Sequence, residues 1–514
     1  MNLDKITQRY LELFPGDFSG NPVQRQTPNF FFALTDIYGF KKAQLLHFNE
    51  NLSEEIGLGK IEKQEDTDFL NATKLPENVK TFSTAYAGHQ FGQWAGQLGD
   101  GRAIYAGEIL NSKGKSTEIQ WKGAGATPYS RHADGRAVLR SSIREYLMSE
   151  AMFHLGIPTT RALSLSLSGE KVARDIMYNG NVDFEQGAVI IRTSETFLRF
   201  GHFELLAARN ELDTLQKLAD FTIENYFPEI DKNSTEKYLE FFKIVGEKTA
   251  DMIVEWIRVG FTHGVMNTDN MSIIGNTIDY GPFSFLDEYN LNFTSNTTDL
   301  PGRRYAFGKQ AHIAHWNLIQ LANALFPLIK DEAALEKILI DYSEMFWKKH
   351  DEMMAKKFGF EKLERYDADF FTSWQKLMEE ISTDYTLFFS QLESLEEGSD
   401  IIEHFKNSFY QNLNKDQETL VIEFVENYRQ RLSYNQISKE DSRKIMQKAN
   451  PKFVLRNYLL YDCIAEMEEG KTELFDKLWN ALQKPYEEIY PEFSVKRPEK
   501  YEGVVGCSSL SCSS

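Results

Sequence analysis

Residues 263–281 read HGVMNTDNMSIIGNTIDYG, and this stretch decides how the rest of the chain is interpreted. A run rich in Asn and Asp leads into the apolar residues 271–274, and the stretch closes at Asp279. Asn270 and Asp279 carry the oxygen ligands that Mg²⁺ prefers in proteins. The stretch is therefore either a polar turn between two elements or a metal-dependent catalytic loop.

The spacing of this stretch favours the catalytic loop. His263 and Asn270 stand as far apart as the His and Asn of the kinase motif H-R-D-x-x-x-x-N, and Asp279 begins an Asp-Tyr-Gly in place of D-F-G. Val265 occupies the position of the kinase base, and a valine side chain cannot accept a proton. The neighbouring carboxylate is Asp269, directly before Asn270.

A lysine and a glutamate upstream complete a kinase-like order. Residues 102–110 and 116–122 alternate as two strands joined by a turn, so Lys122 ends the second strand on its polar face. A helix predicted to open at Asp134-Gly135 and to close at 156–158 then carries Glu145. A strand lysine followed by a helix glutamate is the layout of the kinase ion pair.

Several residues could hold the phosphates of a nucleotide. Gly99 and Gly101 would let the backbone approach a phosphate, and Arg102 adds charge. Arg192 and Arg199 follow apolar runs and could converge on the same phosphates. Three further arginines, Arg136, Arg140 and Arg144, have helical spacing and form either a solvated helix face or a ligand site. For Arg140 and Arg144 the solvated face is the favoured interpretation.

Composition limits the classes of function. The net charge of −19 argues against broad binding to nucleic acid or to an acidic membrane surface. The N-terminus has no apolar signal region, and no stretch has the ~18 apolar residues that span a bilayer, which predicts a cytoplasmic protein. Three cysteines exclude a disulfide scaffold. Cys463 is expected in the core, and Cys507 and Cys512 in a mobile tail with exposed thiols.

Glycine is unevenly distributed, which predicts two kinds of architecture. Residues 1–330 contain 27 of the 32 glycines, and residues 331–500 contain three. Glycine supplies the turns of hairpins and ligand loops. The first part is expected to be mixed α/β and to carry the site, and the last part to be helical support.

Four long motifs resemble the selenoprotein O family, called YdiU in bacteria. They cover residues 86–103, 122–147, 192–204 and 263–287 in collinear order. The resemblance implies an α+β, protein-kinase-like bilobal fold, with a mixed β/α N-lobe and an enlarged, mainly helical C-lobe. It divides the chain into an N-terminal extension (1–79), an N-lobe (80–200), a C-lobe (201–500) and a flexible cysteine-containing tail (501–514).

The resemblance also implies an activity. The family transfers AMP from ATP to Ser, Thr or Tyr hydroxyls of proteins and releases pyrophosphate, and some members use Mn²⁺ for uridylylation. Its implied cofactors are ATP as substrate and Mg²⁺ or Mn²⁺. The expected partners are protein substrates, with no nucleic acid and no membrane, and the chain is expected to be a monomer. A kinase-type phosphotransferase and a non-catalytic ATP-binding scaffold stay open as alternatives.

Motif positions imply a role for each candidate residue. Asp269 would accept the proton, Glu145 would pair with Lys122, and Asn270 and Asp279 would bind the metal. The implied nucleotide contacts are Gly99, Gly101, Arg102, Lys122, Asp134, Gly135, Arg192, Arg199 and Asp279. Some members carry a cysteine after the Asp-Tyr-Gly segment, but residues 286–305 contain none, so a disulfide from the tail to this loop is excluded.

Overall fold

The computed structural model describes residues 1–175 and 180–511. Most of the chain after residue 195 is helical. The α-helices are α1 (Arg9–Leu13), α2 (Glu50–Glu55), α3 (Gln64–Leu70), α4 (Leu139–His154), α5 (Phe200–Ala208), α6 (Leu212–Tyr226), α7 (Lys237–Val259), α8 (Gln310–Ile329), α9 (Glu332–Lys357), α10 (Asp367–Glu380), α11 (Tyr385–Ser394), α12 (Ile401–Phe405), α13 (Lys415–Leu432), α14 (Lys439–Ala449), α15 (Asn457–Glu468) and α16 (Glu473–Leu482). Short 3₁₀ helices span Leu3–Lys5, Thr268–Asn270, Thr297–Asp299, Phe307–Lys309, Lys406–Ser408, Pro491–Phe493 and Glu499–Tyr501.

The strands concentrate before residue 195. They are β1 (Gly16–Asp17), β2 (Phe32–Leu34), β3 (Gln44–Phe48), β4 (Phe82–Thr84), β5 (Ala87–Gln90), β6 (Gln93–Gln97), β7 (Ala103–Leu110), β8 (Ser116–Lys122), β9 (Ala137–Val138), β10 (Arg161–Arg174), β11 (Asp183–Ser194), β12 (Phe261–Thr262) and β13 (Ser284–Phe285). Among the described residues, nine of them form one sheet in the order β1-β2-β4-β7-β8-β11-β10-β3, with β9 beside β11. The chain is thus mixed α+β, as expected.

The predicted hairpin is confirmed at the centre of this sheet. β7 and β8 pair antiparallel from Ala103 opposite Lys122 to Leu110 opposite Ser116. Ile119 and Trp121 enter a core cluster on one face of the sheet. Glu118, Gln120 and Lys122 lie on the other face and are also buried, because helix α4 and the helical part of the chain cover it. The polar side of β8 therefore faces the interior of the protein.

Residues 1–79 also take part in the sheet. They contribute strands β1, β2 and β3, with β2 pairing with β4 and β3 pairing with β10. The Tyr10 hydroxyl, in α1, donates to the buried Glu118 carboxylate at 2.6 Å. The segment expected to be an extension therefore forms both edges of the sheet, with β3 at one edge and β1 and β2 at the other.

Helix α4 begins later than the sequence indicates. The predicted start at Asp134-Gly135 is wrong, because the helix begins at Leu139. Gly135 has a φ of +68° and lies against the backbone of Gly125. Ala137 and Val138 then pair with β11 as β9. Pairing with the sheet outweighs the local helix signal, so the helix starts only after this short strand.

The arginine row is not a solvated helix face, so that prediction is wrong. Arg136 precedes the helix and stacks on the Tyr38 ring at 3.9 Å. Arg140 pairs with Glu185 at 3.0 Å. Arg144 is 1% exposed and donates to the backbone oxygen of Phe283 at 3.0 Å. The sheet on one side and the helical part on the other enclose these side chains, which spacing along one helix could not indicate.

The C-terminal segment is docked on the protein through residue 511. Cys507 is buried, against the expectation of an exposed thiol, and burial raises the pKa of the thiol to about 12. The backbone nitrogen of Thr297 donates to the Leu510 oxygen at 2.7 Å, so this segment packs on the loop after the Asp-Tyr-Gly sequence. Cys512 lies outside the described residues. Cys463 is buried in α15, as expected.

No helix within residues 1–175 and 180–511 is long and apolar enough to cross a bilayer.

The buried Glu118 makes the stability of the sheet depend on pH. Burial raises the pKa of this carboxyl to about 7, from 4.5. The folded protein thus favours the protonated form, so this contribution to stability is full below about pH 4.5 and is lost as pH rises through 7. We expect Glu118→Gln to remove up to about 3 kcal/mol of pH dependence, at ~1.36 kcal/mol per pKa unit.

Urea unfolding between pH 5 and pH 8 measures this dependence. Glu423→Gln, on an exposed position of α13, is the matched control and should keep the wild-type dependence. Parallel pH profiles for the wild type and Glu118→Gln would contradict the assignment.

Candidate active site

The predicted lysine–glutamate ion pair is present. Lys122, at the end of β8, donates to the Oε2 atom of Glu145 in α4. Both side chains are buried, and burial, together with the nearby Arg192 and Arg102, lowers the pKa of Lys122 to about 8. Burial would raise the pKa of Glu145, but Lys122 and Arg192 outweigh it and hold this pKa below its usual range. The pair links the sheet to α4 at the base of the site.

The Asp279 carboxylate joins three cations. Its Oδ1 atom accepts from Arg192 and its Oδ2 atom from Arg199, and Lys122 Nζ lies 3.7 Å from Oδ1. Burial would raise the pKa of Asp279, yet the arginines and Lys122 hold it well below its ordinary value. Its side chain is 22% exposed, whereas those of Arg192 and Arg199 are 3% exposed. The carboxylate thus forms the accessible surface of a buried cationic cluster.

Backbone pairing places these groups together. Arg192 lies opposite Gln120 on the neighbouring strand and donates to the Gln120 amide oxygen. Arg199 pairs with Ser272 across a short bridge, and its guanidinium donates to the backbone oxygen of Asp269 at 2.7 Å. Asp279 adopts a φ of +57°, which is uncommon for a residue other than glycine. The strained turn directs its carboxylate at the two arginines.

Asp269 lies in the 3₁₀ turn Thr268–Asn270 and is 7% exposed. Burial raises the pKa of its carboxyl to about 6, although Arg199 and a hydrogen bond from Gln90 lower it. Gln90 Nε2 donates to the Oδ2 atom at 3.1 Å. The Oδ1 atom is buried and has no hydrogen-bond partner in the described part of the chain. One oxygen of this carboxylate is therefore held by Gln90, while the other is enclosed beside Gly88 without a hydrogen bond.

His263 supports the loop and is held neutral. Its Nε2 atom lies 2.9 Å from the Ile278 oxygen, and its Nδ1 atom accepts from the Val265 nitrogen at 3.3 Å. Burial lowers the pKa of this imidazole. With one nitrogen donating and the other accepting, His263 fixes the backbone at both ends of the loop and does not serve as a base.

Asn270 and Asp279 fit a magnesium-type site by their chemistry. The Asn270 amide nitrogen donates to the Val265 oxygen at 2.9 Å, which leaves its amide oxygen as an acceptor. In the described chain no group of three or more His, Cys, Asp or Glu side chains could hold a metal. Mg²⁺ commonly binds through one or two carboxylates together with substrate phosphates, so this sparse donor set suits a metal that arrives with a nucleotide.

The predicted phosphate loop has a structural reason for its glycines. A side chain at Gly99 would meet the Tyr129 ring at 2.6 Å, and one at Gly101 would meet the Tyr129 oxygen at 2.9 Å. Both glycines thus let the 98–102 turn pack on the segment that follows β8. Arg102 is exposed, and its charge acts on Lys122. Arg102 thus brings a solvent-exposed positive charge close to the cluster.

Asp134 and Gly135 are not joined to the cluster by any side-chain contact that the structure records in the described residues. The Asp134 carboxylate pairs with Arg174 at 2.8 Å and accepts from the Arg136 nitrogen. Gly135 packs on the Gly125 backbone. Their place is in the loop between β8 and β9, where they shape the segment ahead of α4.

The β5–β6 hairpin is the part of the site that sequence reasoning missed. The His89 nitrogen donates to Thr268 Oγ1 at 2.7 Å, and the Phe91 nitrogen donates to Asn267 Oδ1 at 3.2 Å. A side chain at Gly88 would collide with the Asp269 carboxylate. Gly-His-Gln-Phe-Gly-Gln was a visible signal, because a Gly between two short alternating strands marks a tight turn. Its contact with residue 269 needed the tertiary structure.

Comparison with known proteins shows which family the chain belongs to. A family model described as "Protein adenylyltransferase SelO" matches residues 18–483. The chain belongs to the SelO family. It is 46% identical to a protein nucleotidyltransferase YdiU of Cytophaga hutchinsonii, with 99% of each chain covered. Further relatives of that name are those of Flavobacterium johnsoniae, 45% identical with 99% of each chain covered, and of Azoarcus, 42% identical with 98% of each covered.

Membership confirms the resemblance seen in the motifs. It places the chain among enzymes of the nucleotidyltransferase class, which act on a nucleotide and, in this family, on protein. Lys122, Arg192 and Arg199 form a cluster of buried cations that pair with Glu145 and Asp279.

We expect Lys122→Met to weaken ATP binding about 10- to 100-fold, because a charge-assisted contact to phosphate would be lost from a site of unchanged size. ATP-induced thermal stabilisation in the presence of Mg²⁺ measures this loss. Lys113→Met, in the exposed turn between β7 and β8, is the control and should keep the full shift. Equal ATP-induced shifts in melting temperature for both variants would contradict a role for Lys122 in nucleotide binding.

Proposed function

We propose that the protein transfers AMP from ATP to Ser, Thr or Tyr hydroxyls of protein substrates and releases pyrophosphate. The observation that carries this proposal is the carboxylate of Asp269, buried beside the cationic cluster where the kinase base position is held by Val265. The Asp269 backbone oxygen accepts directly from Arg199, so the base and the cluster share one wall. Family membership supports the same activity.

The proposal includes a kinase-like bilobal arrangement with the nucleotide bound between two lobes. The mixed sheet and α4 would form the N-lobe, and the helices after residue 200 the C-lobe. Support comes from the ion pairs that join Lys122 and Arg192 of the sheet to Asp279 of the loop region. Domain boundaries at 79, 200 and 500 stay part of this proposal, with residues 1–79 contributing strands to the sheet.

The proposed reaction uses each group in one role. The acceptor hydroxyl gives its proton to Asp269, its oxygen bonds to the α-phosphorus, and the bond from that phosphorus to the bridging oxygen breaks as pyrophosphate leaves. A pKa of about 6 leaves Asp269 mostly ionised at neutral pH and still basic enough to accept a proton. Lys122, Arg192 and Arg199 would neutralise the phosphates.

Asn270 and Asp279 would hold Mg²⁺ or Mn²⁺. Such an ion neutralises phosphate charge and orients the leaving group. Asp279 already accepts from two arginines, and carboxylate oxygens have further lone pairs, so it could bridge the cationic cluster and the metal. Arg102 would reach the phosphates from the solvent side. Gly99, Gly101, Asp134 and Gly135 would act by shaping the surrounding loops.

Labelled nucleotide separates this function from its alternatives. With ATP labelled at the α-phosphate, we expect label in acceptor protein, and with γ-label none. Asp269→Asn should lower the transfer rate by about 10²–10⁴-fold, because the acceptor would lose its proton acceptor. Mass spectrometry of the modified residue, with UTP and Mn²⁺ as a parallel arm, identifies the group transferred. Incorporation of γ-label alone would establish a kinase, and ATP binding without transfer of either label would favour a scaffold.

Gln90 should position Asp269 for this step. We expect Gln90→Leu to lower kcat about ten- to a hundredfold without changing the KM for ATP, because the Asp269 Oδ2 atom would lose its donor and the carboxylate would turn. Gln93→Leu, opposite Gln90 in the same hairpin and exposed, is the control. A rise in the KM for ATP with unchanged kcat would contradict this role.

A further inference from the structure

The tip of the β5–β6 hairpin exposes two large aromatic side chains. Phe91 is 38% exposed and Trp94 is 44% exposed. The residue before Phe91 is Gln90, which holds the Asp269 carboxylate. The exposed aromatic rings are thus part of the same short hairpin that contacts the proposed base.

Phe91 occupies a left-handed backbone conformation that is unfavourable for a bulky residue. Gln90 pairs with Gln93, so Phe91 and Gly92 form a two-residue turn, with φ of +51° and +83°. Such a turn favours Asn, Asp or Gly at both positions, and a bulky residue there is an outlier. The strain persists because the surrounding structure holds it: the Phe91 nitrogen donates to Asn267 and to the Tyr305 hydroxyl. Strained backbone conformations of this kind cluster at functional sites, which indicates a role for the Phe91 side chain.

Arg304 borders the tip, and Arg303 precedes it in the chain. The Arg304 guanidinium lies against Gly92 and 4.5 Å from the centre of the Trp316 ring. Arg303 is exposed, and its guanidinium donates to the backbone oxygen of Asn292 at 3.3 Å. Neither arginine forms an ion pair with a carboxylate in the described part of the chain, although the protein carries a net charge of −19. Aromatic residues with arginine are the composition typical of the energetic centres of protein interfaces.

We propose that Phe91, Trp94, Arg303 and Arg304 form an acceptor-docking surface. Its occupant is a segment of substrate protein in which the modified hydroxyl is flanked by acidic residues. The aromatic side chains would pack on the segment, the arginines would pair with its carboxylates, and the hydroxyl would lie against Asp269. This inference rests on the proposed function, since it names the substrate class of that site.

Binding of short fluorescent peptides tests the surface without requiring transfer. Each peptide carries one central tyrosine, flanked by glutamates, by lysines or by glycine and serine. Fluorescence anisotropy is measured with Mg²⁺ and an ATP analogue that cannot be cleaved between the α- and β-phosphates. We expect the glutamate-flanked peptide to bind most tightly, and Phe91→Asn, Trp94→Ala and Arg303→Glu each to weaken it about tenfold.

Phe91→Asn also separates docking from folding. Asn is favoured at a left-handed turn position, so we expect the melting temperature of this variant to be no lower than that of the wild type, while its peptide binding is about tenfold weaker. Trp347→Ala is the matched control: Trp347 is 56% exposed on α9, which supplies none of the site residues described above. It should bind the peptide as the wild type does.

The outcomes distinguish this inference from the proposed function. Equal affinity for the three peptides, or unchanged binding by Phe91→Asn and Trp94→Ala, would overturn the docking surface. Transfer from α-labelled ATP to the same peptides is measured in parallel. Selective binding without any transfer by the wild type would sustain the surface and refute the proposed reaction. Transfer whose KM for the glutamate-flanked peptide is the same in wild type and variants would refute the surface alone.

Discussion

The ion pairs of Asp279 are the interaction on which the site depends. One carboxylate, in a turn with positive φ, meets Arg192 of the sheet and Arg199 of the segment that leads into α5, with Lys122 close by. Burying cations of this kind is unfavourable unless they are paired. Asp279 and Glu145 supply that pairing, and so three cations stay buried together inside an acidic body.

Several contacts hold the loop of residues 263–281 in place. The loop is held by His263 between two backbone groups, by Arg199 on the Asp269 oxygen, and by the β5–β6 hairpin from the other side. Each contact fixes the backbone or a side chain next to Asp269 or Asp279. The β5–β6 hairpin contacts both the site and solvent: Gln90 donates to the carboxylate of Asp269, and the tip of the hairpin is exposed.

Particular residues show which structural features can be predicted from the sequence. The strand carrying Lys122 and the helix carrying Glu145 were predictable, because alternation and helical spacing are local signals. The burial of Arg144 was not, since it depends on Phe283 and Asn457, which are distant in sequence. The delayed start of α4 was missed for a similar reason, because β9 exists only when β11 lies beside it. Burial of Cys507 depends on the docked segment in the same way.

The sequence by itself determined the family, the mixed α/β and helical halves, and the identity of the groups that could do chemistry. Those properties follow from residue type and spacing along the chain. Only the tertiary structure decided which groups meet: that one carboxylate binds two arginines, that Gln90 holds Asp269, and that Gly99 and Gly101 admit Tyr129. The physical reason is that these contacts join segments far apart in sequence, and their energies depend on burial and distance, which no local pattern encodes.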